Sequence, residues 1–289
     1  MLRKLYRVAK SLQFKAFLLS LRARNLLSRK SLLSNDGPIV SLTSYGSRLD
    51  TVFLTLETIG KGNCLPSRLI LWLDDTGDKN TIPSSISRLK RRGLEVYFGE
   101  NLKPHNKYYH YLQLVDHFDL PLVTADDDIL YPDYWLKDLY HAYQARPDLI
   151  NCFRARNIKL DKGKIAPYST WQTCTNTKES FLNLATGVSG VIYPPKYLEF
   201  LKRAGKEFVN CCPRADDLWL HVNAIRSRFK IKQIYPASIH FPMIPNSQET
   251  ALMHNNLKSG NDEQIAKTYG LEDIKLLVEA QNNSSAGYV

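Results

Sequence analysis

Four short apolar runs, each followed by polar residues and a helical segment, set the strongest limit on what this chain can fold into. They are Pro38–Thr43, Arg68–Leu73, Leu94–Phe98 and Leu120–Thr124. Each is too short for a buried helix and rich in Ile, Val and Leu, as a strand covered on both faces requires. Between them, residues 48–60, 84–92 and about 106–117 read as helices. Strand and helix alternating at this spacing predict an α/β domain on a parallel, doubly wound sheet. Ligands of such sheets bind beyond the carboxyl ends of the strands. The Ser44–Ser47 loop, Asp74-Asp75 and Asp126-Asp127-Asp128 all fall at such ends, which points to one site.

The acidic triplet closes the fourth run, in Val123-Thr124-Ala125-Asp126-Asp127-Asp128-Ile129. Three adjacent carboxylates repel one another, and a divalent cation relieves that repulsion. Mg²⁺ and Mn²⁺ take oxygen ligands and commonly share substrate phosphates. In extended backbone, residues two apart point the same way, so Asp126 and Asp128 both face the metal while Asp127 turns elsewhere. The competing reading is a solvated acidic turn before a helix at Pro132. A second acidic pair, Asp216-Asp217, opens a helix expected over 215–227, where it caps the helix or supplies a base.

The second half is less regular. Residues 149–153, 190–193 and 231–235 read as strands, 196–204 as a helix, and 156–182 as strands and loops. Residues 281–289 read as a flexible tail, which sets the domain at 36–280. Gly187–Gly190 reads as a close backbone approach beside a pocket or a tight turn. Trp171 and Trp219 suit either a sugar platform or the core.

Net charge is +11, yet nine basic side chains and no acid lie in the first 35 residues. The body is therefore nearly neutral, unlike most nucleic-acid enzymes. Residues 2–33 contain no Gly or Pro. Leu5, Val8, Leu12, Ala16 and Leu19 form an apolar stripe, widened by Phe14, Phe17, Leu18 and Leu21. Such a basic amphipathic helix suits an anionic membrane surface, with packing on the domain or on a partner as the alternatives. No run of about 18 apolar residues exists to span a membrane. The five cysteines are odd in number and hold no C-x-x-C pair, which fits reduced thiols in a cytosolic setting.

Three blocks, IVSLTSYGSRLDTVFLTLETI (39–59), LVTADDDILYPDYW (122–135) and RADDLWL (214–220), resemble bacterial polysaccharide glycosyltransferases of the GT-A fold. The resemblance spans about 38–260. It implies a Rossmann-like mixed sheet flanked by helices, a nucleotide-sugar donor (usually a UDP-sugar) and Mn²⁺ or Mg²⁺. It also implies capsule, lipopolysaccharide or O-antigen assembly at the cytoplasmic membrane face, with a saccharide or lipid-linked acceptor. In that pattern Thr43, Ser44, Tyr45 and Arg48 hold the nucleotide, Tyr45 on the base and Arg48 on phosphate. Asp74 or Asp75 meets the uracil or ribose, and Lys107 the donor phosphates. Asp126 and Asp128 serve metal and ribose, and Asp127 support or sugar hydroxyls. Asp217, or Asp216, is the base of an inverting transfer. His240 is a further metal ligand, His254 a weaker one, and Lys258–Asp262 a lid. The rivals are a nucleotidyltransferase, which wants a more Gly-rich phosphate loop than Ser44–Ser47, a non-catalytic membrane scaffold, and a hydrolase using paired carboxylates.

Overall fold

The computed structural model describes residues 2–75, 82–245, 247 and 260–286. Its strands in chain order are β1 (Ile39–Ser44), β2 (Arg68–Asp74), β3 (Leu94–Gly99), β4 (Leu122–Thr124), β5 (Leu149–Cys152), β6 (Ala155–Asn157), β7 (Leu160–Asp161), β8 (Lys164–Ile165), β9 (Gln172–Thr173), β10 (Asn183–Ala185), β11 (Val191–Tyr193) and β12 (Lys230–Gln233). The helices are α1 (Leu2–Leu27), α2 (Val52–Ile59), α3 (Ser84–Lys90), α4 (Tyr109–Leu114), α5 (Trp135–Ala145), α6 (Pro195–Ala204), α7 (Phe208–Cys211), α8 (Asp216–Arg226), α9 (Asn261–Thr268) and α10 (Leu271–Ala286).

The central sheet has seven strands in the order β12-β5-β11-β4-β1-β2-β3. All neighbours are parallel except β11, which runs antiparallel to β4 and β5. Successive residues point to opposite faces, and both faces are buried. Val40, Leu42, Leu69, Leu71, Leu73 and Val123 meet α2, α3 and α5. Ile39, Ile70, Trp72, Leu122 and Tyr193 face the other way, with α4, α6 and α8. This is the α/β mixed sheet flanked by helices that the sequence led us to expect. The sheet is mixed at β11, because a strand entered from the far end by the 187–189 turn runs backwards. A three-stranded antiparallel sheet, β10-β6-β9, stands beside the main one.

The N-terminal helix divides its wide apolar face. Phe14, Phe17, Leu18 and Leu21 pack against Leu54, Leu130 and Ile244 of the body. Leu12, Leu19, Leu26 and Leu27 remain exposed. Its C-terminal turn is tied down by fully buried Glu57 of α2. That carboxylate accepts from Arg24 at 2.9 Å, Asn25 at 3.2 Å and Arg92 at 2.5 Å. The helix is therefore docked on the domain along half its stripe. At the other end, α10 runs to Ala286, well into the tail expected from residue 281 to be flexible. Leu277 is fully buried and anchors it, and the polar residues that suggested disorder follow on the same helix.

Glu57→Gln removes the only formal charge facing Arg24 and Arg92 in that triad. Breaking a buried pair from one side costs about 3–5 kcal/mol. We expect a loss of that size in chemical denaturation of the purified chain; a change under 1 kcal/mol would show that the triad is not what holds α1.

Candidate active site

β1 and β4 are parallel neighbours with Ser41 opposite Thr124, so Ser44 and the acidic triplet leave the sheet side by side. The triplet's backbone is pinned from several directions. Ala125 N–H donates to Ser41 at 3.1 Å, and Ile244 N–H donates to the Asp128 carbonyl at 2.7 Å. Thr55 Oγ1 donates to the Asp127 carbonyl at 2.9 Å, and Asp126 N–H to the Tyr131 hydroxyl at 2.9 Å. Tyr131 stacks on Trp135 at 4.0 Å, and Trp135 Nε1 donates to Ser189 at 2.9 Å. That links the triplet to the turn before β11. Gly190, at φ +96°, lies against the Trp135 ring, where an added Cβ would come within 2.5 Å.

The three carboxylates then diverge. Asp127 turns inward and accepts from Ser44 Oγ at 2.6 Å and Arg48 Nη1 at 2.6 Å. Arg48 Nη1 also reaches Asp128 at 3.4 Å, and Nη2 donates to the Ser247 carbonyl at 3.0 Å. Asp126 pairs with Lys107. The Asp128 carboxyl is pushed up to about 6 by burial and by Asp126.

Lys107 ends a 3-10 turn, Lys103–Lys107, that follows β3. The turn is fixed by His105, whose ring nitrogens bond the Tyr108 hydroxyl at 2.7 Å and the Cys212 carbonyl at 2.9 Å. Burial drives that imidazole down to about 3, so it is a neutral strut. The strut sets Lys107 against the residues before α8, and Asp216 lies 3.8 Å from its ammonium. Burial works against the Lys107 charge, yet Asp126 and Asp216 hold it above its ordinary value.

Asp216 and Asp217 occupy the first turn of α8. Asp217 Oδ1 accepts from the Gly187 amide at 3.0 Å, across the cavity from its own helix. A side chain at residue 187 would crowd it, since an added Cβ would lie 3.3 Å from Asp217 Oδ1. Both carboxyls sit above the carboxylate range, Asp217 because of burial and Asp216, and Asp216 because burial outweighs Lys107.

These groups surround one cavity of about 460 Å³, within the usual size for a ligand site. It gathers Thr43, Ser44, Tyr45, Arg48, Asp74, Lys107, Asp126, Asp127, Asp128, Asp216 and Asp217. Tyr45 is 38% exposed at the rim, with Arg48 5.7 Å from its ring centre. The Arg48 guanidinium, expected on phosphate, lines the cavity and is engaged by Asp127 and Asp128. Asp75 is exposed and lies outside the lining, whereas Asp74 accepts from Asn101 at 3.3 Å. His240 is also exposed and outside the lining, so it is not brought to Asp126 and Asp128. The bend after β12 leads it away, and Arg154 is its charged neighbour. His254, Lys258 and Ser259 lie outside the described residues. His221 bonds Tyr269 and the Phe181 carbonyl, and Trp171 and Trp219 are buried in the core. Lining residues that the sequence did not single out include Asn101, Arg154, Arg156, Tyr168, Thr186 and Arg214.

Among the described residues, no group of three or more His, Cys, Asp or Glu is arranged to hold a metal. Asp126 and Asp128 nonetheless fit a hard divalent cation in one respect. They offer two like-charged oxygen ligands, and Mg²⁺-type sites take one or two carboxylates plus substrate phosphates and water.

No protein-family model matches the chain, and no curated protein does. Solved structures do. The mannosyltransferase PcManGT from Pyrobaculum calidifontis, in complex with GDP-Man and Mn2+, superposes with a TM-score of 0.50 at 14% identity, over 100% of this chain and 88% of that one. S. aureus TarS 1–349 gives 0.46 at 13% identity, over 86% and 72%. CMP:2-keto-3-deoxy-manno-octonic acid synthetase, complexed with CTP, gives 0.39 at 8% identity, over 67% and 87%. The first of these shares the fold of this chain, the nucleotide-sugar transferase type expected from the sequence blocks.

Because Asp216 and Asp217 are raised, the folded chain holds protons that the unfolded chain releases. Their contribution favours the fold at low pH and is lost as pH rises toward the raised values. Asp217→Asn keeps the Oδ1 acceptor without the charge. We expect the variant's thermal midpoint to exceed that of the native chain by more at pH 8 than at pH 5. An equal gap at both would mean that burial of the charge is not the cause.

Proposed function

We propose that this chain is a metal-dependent glycosyltransferase. In this reading it moves a sugar from a nucleotide-sugar donor, a UDP-sugar on the sequence resemblance, to a saccharide or lipid-linked saccharide acceptor. The observation that carries the proposal is the meeting of two carboxylate groups in one cavity. Asp126–Asp128 stand at the carboxyl end of β4, and Asp216-Asp217 face them across Lys107.

Asp126 and Asp128 would hold Mn²⁺ or Mg²⁺, which when bound neutralises charge developing on the departing diphosphate. Ser44 and Arg48 keep Asp127 turned inward, so the other two carboxylates stay directed to the cavity. Lys107 stands between the two acidic groups and supplies a positive charge to donor phosphates there. Thr43, Tyr45 and Asp74 line the nucleotide end. Asp217, with its oxygen fixed by the Gly187 amide, takes the proton from the acceptor hydroxyl, and the sugar inverts as that oxygen attacks. A carboxylate raised toward neutral pH is better matched to this task than an ordinary one. The neighbour bound to GDP-Man and Mn2+ supports a nucleotide-sugar donor with a divalent cation. Synthesis of a bacterial surface polysaccharide remains part of this proposal on the sequence resemblance alone.

Asp128→Ala should lower transfer by more than the about 10–100-fold that a lost outer-shell partner costs. Its folding transition should stay cooperative; full activity in a nucleotide-sugar transfer assay would remove the metal assignment. Asp217→Asn should lower kcat by about 10²–10⁴-fold and leave donor affinity in place.

We also place the chain peripherally on the inner face of the cytoplasmic membrane, through the exposed leucines of α1. Leu12, Leu19 and Leu26 recur every seven residues beside exposed Arg22 and Lys15. Replacing those leucines with Gln spares the docked face. We expect the triple variant to stop floating with anionic vesicles while its thermal midpoint is kept. Undiminished flotation would refute the anchor.

A further inference from the structure

Arg154 and Arg156 flank buried Ala155 where β5 leads into the side sheet, and both line the cavity. Residues two apart in extended backbone share a face, so the two guanidiniums are presented together. Both side chains are half-buried. The Nε of each is buried without a hydrogen-bond partner among the described residues. Arg156 lies 4.8 Å over the Tyr168 ring, which orients it without neutralising it. Burial and the neighbouring Arg156 charge push the Arg154 guanidinium below its ordinary value. Holding two such charges together out of water is costly unless an anion completes them. The Arg fork matches the oxygens of phosphate or carboxylate in a bidentate way.

Their place in the cavity says which ligand that anion belongs to. The Arg154 carbonyl accepts from Thr186 N–H at 3.0 Å, next to Gly187, which holds Asp217. Asp217 acts on Arg154 electrostatically, whereas the charges of the triplet are answered by Arg48 and Lys107. The pair thus stands on the side of the proposed base, away from the nucleotide end at Thr43 and Asp74. We infer that Arg154 and Arg156 form an anion-binding subsite for the acceptor, which therefore carries a phosphate or carboxylate near the hydroxyl that receives the sugar. This inference rests on the glycosyltransferase reading and narrows its acceptor class.

The test uses the full chain in calorimetric titrations at constant ionic strength, with Mn²⁺ and saturating UDP, or GDP if UDP does not bind. The probes are glucose, glucose 6-phosphate, glucuronate and geranyl diphosphate. We expect at least one anionic probe to bind ten-fold or more tighter than glucose. Arg154→Gln and Arg156→Gln should each lose most of that preference and keep the native affinity for the nucleotide and the native thermal midpoint. Arg156→Lys should recover part of it. Preference for geranyl diphosphate would place the charge on a lipid carrier, and preference for the sugar phosphate or uronate would place it on the glycan; either supports the subsite. The inference is overturned if the anions bind no tighter than glucose, or if the Gln variants lose nucleotide affinity instead, which would assign the arginines to the donor. Failure of every nucleoside diphosphate to bind with Mn²⁺ would sink the glycosyltransferase reading itself, and the subsite with it.

Discussion

Everything in this cavity follows from one electrostatic constraint. Asp126, Asp127, Asp128, Asp216 and Asp217 converge at one end of a sheet, where burial and mutual repulsion raise several of them above the carboxylate range. Among the described residues, Arg48 and Lys107 form the ion pairs that answer that charge. Arg48 faces Asp127 and Asp128, and Lys107 stands between Asp126 and Asp216. The fold supplies the positions. Parallel neighbours β1 and β4 deliver Ser44 and the triplet, antiparallel β11 starts at the same end just after the Gly187 turn, and the His105 strut sets Lys107 against α8. The arrangement is costly for stability, as functional sites commonly are. Its stabilising counterpart is a ligand that brings positive charge to the triplet and negative charge to the basic wall.

That wall divides the cavity into two halves of unlike chemistry. The end proposed for the nucleotide has Thr43, Tyr45 and Asp74, and the end proposed for the acceptor has Arg154, Arg156 and Tyr168. Gly187 sits beside Asp217, where an added Cβ would crowd its Oδ1 at 3.3 Å. A proton acceptor at the boundary between two ligand halves is the geometry that direct transfer between two bound molecules calls for.

The sheet was legible because its first four strands are compact apolar runs, with β1, β2 and β4 buried on both faces and β3 half-buried at the edge. The triplet was legible because a carboxylate cluster straight after such a run has few structural uses. The basic wall was not. Arg154 and Arg156 lie in a stretch whose strands are two or three residues long, too short for a periodic pattern, and β6 is placed by long-range pairing with β10 and β9. The Arg48–Asp127 pair was not legible either, because sequence gives the proximity of Arg48 to the Ser44 loop and not its distance from Asp127. The N-terminal stripe hid its division, since residues that pack on the body and residues that face water are equally apolar. The polar residues from 281 continue a helix whose buried residues, Asp273 and Leu277, lie upstream.

The central claim is that the paired carboxylates and Lys107 hold a nucleoside-diphosphate sugar together with a divalent cation. A thermal-shift titration of the native chain with a panel of nucleotide sugars, with and without Mn²⁺, tests it most directly. A ligand bound only by the folded state at a hundred times its Kd stabilises by about 2.7 kcal/mol. The account predicts a rise in thermal midpoint with one nucleotide class, large with Mn²⁺ and largely lost when the metal is chelated. No shift with any nucleotide sugar, or an equal shift in the presence of chelator, would contradict it.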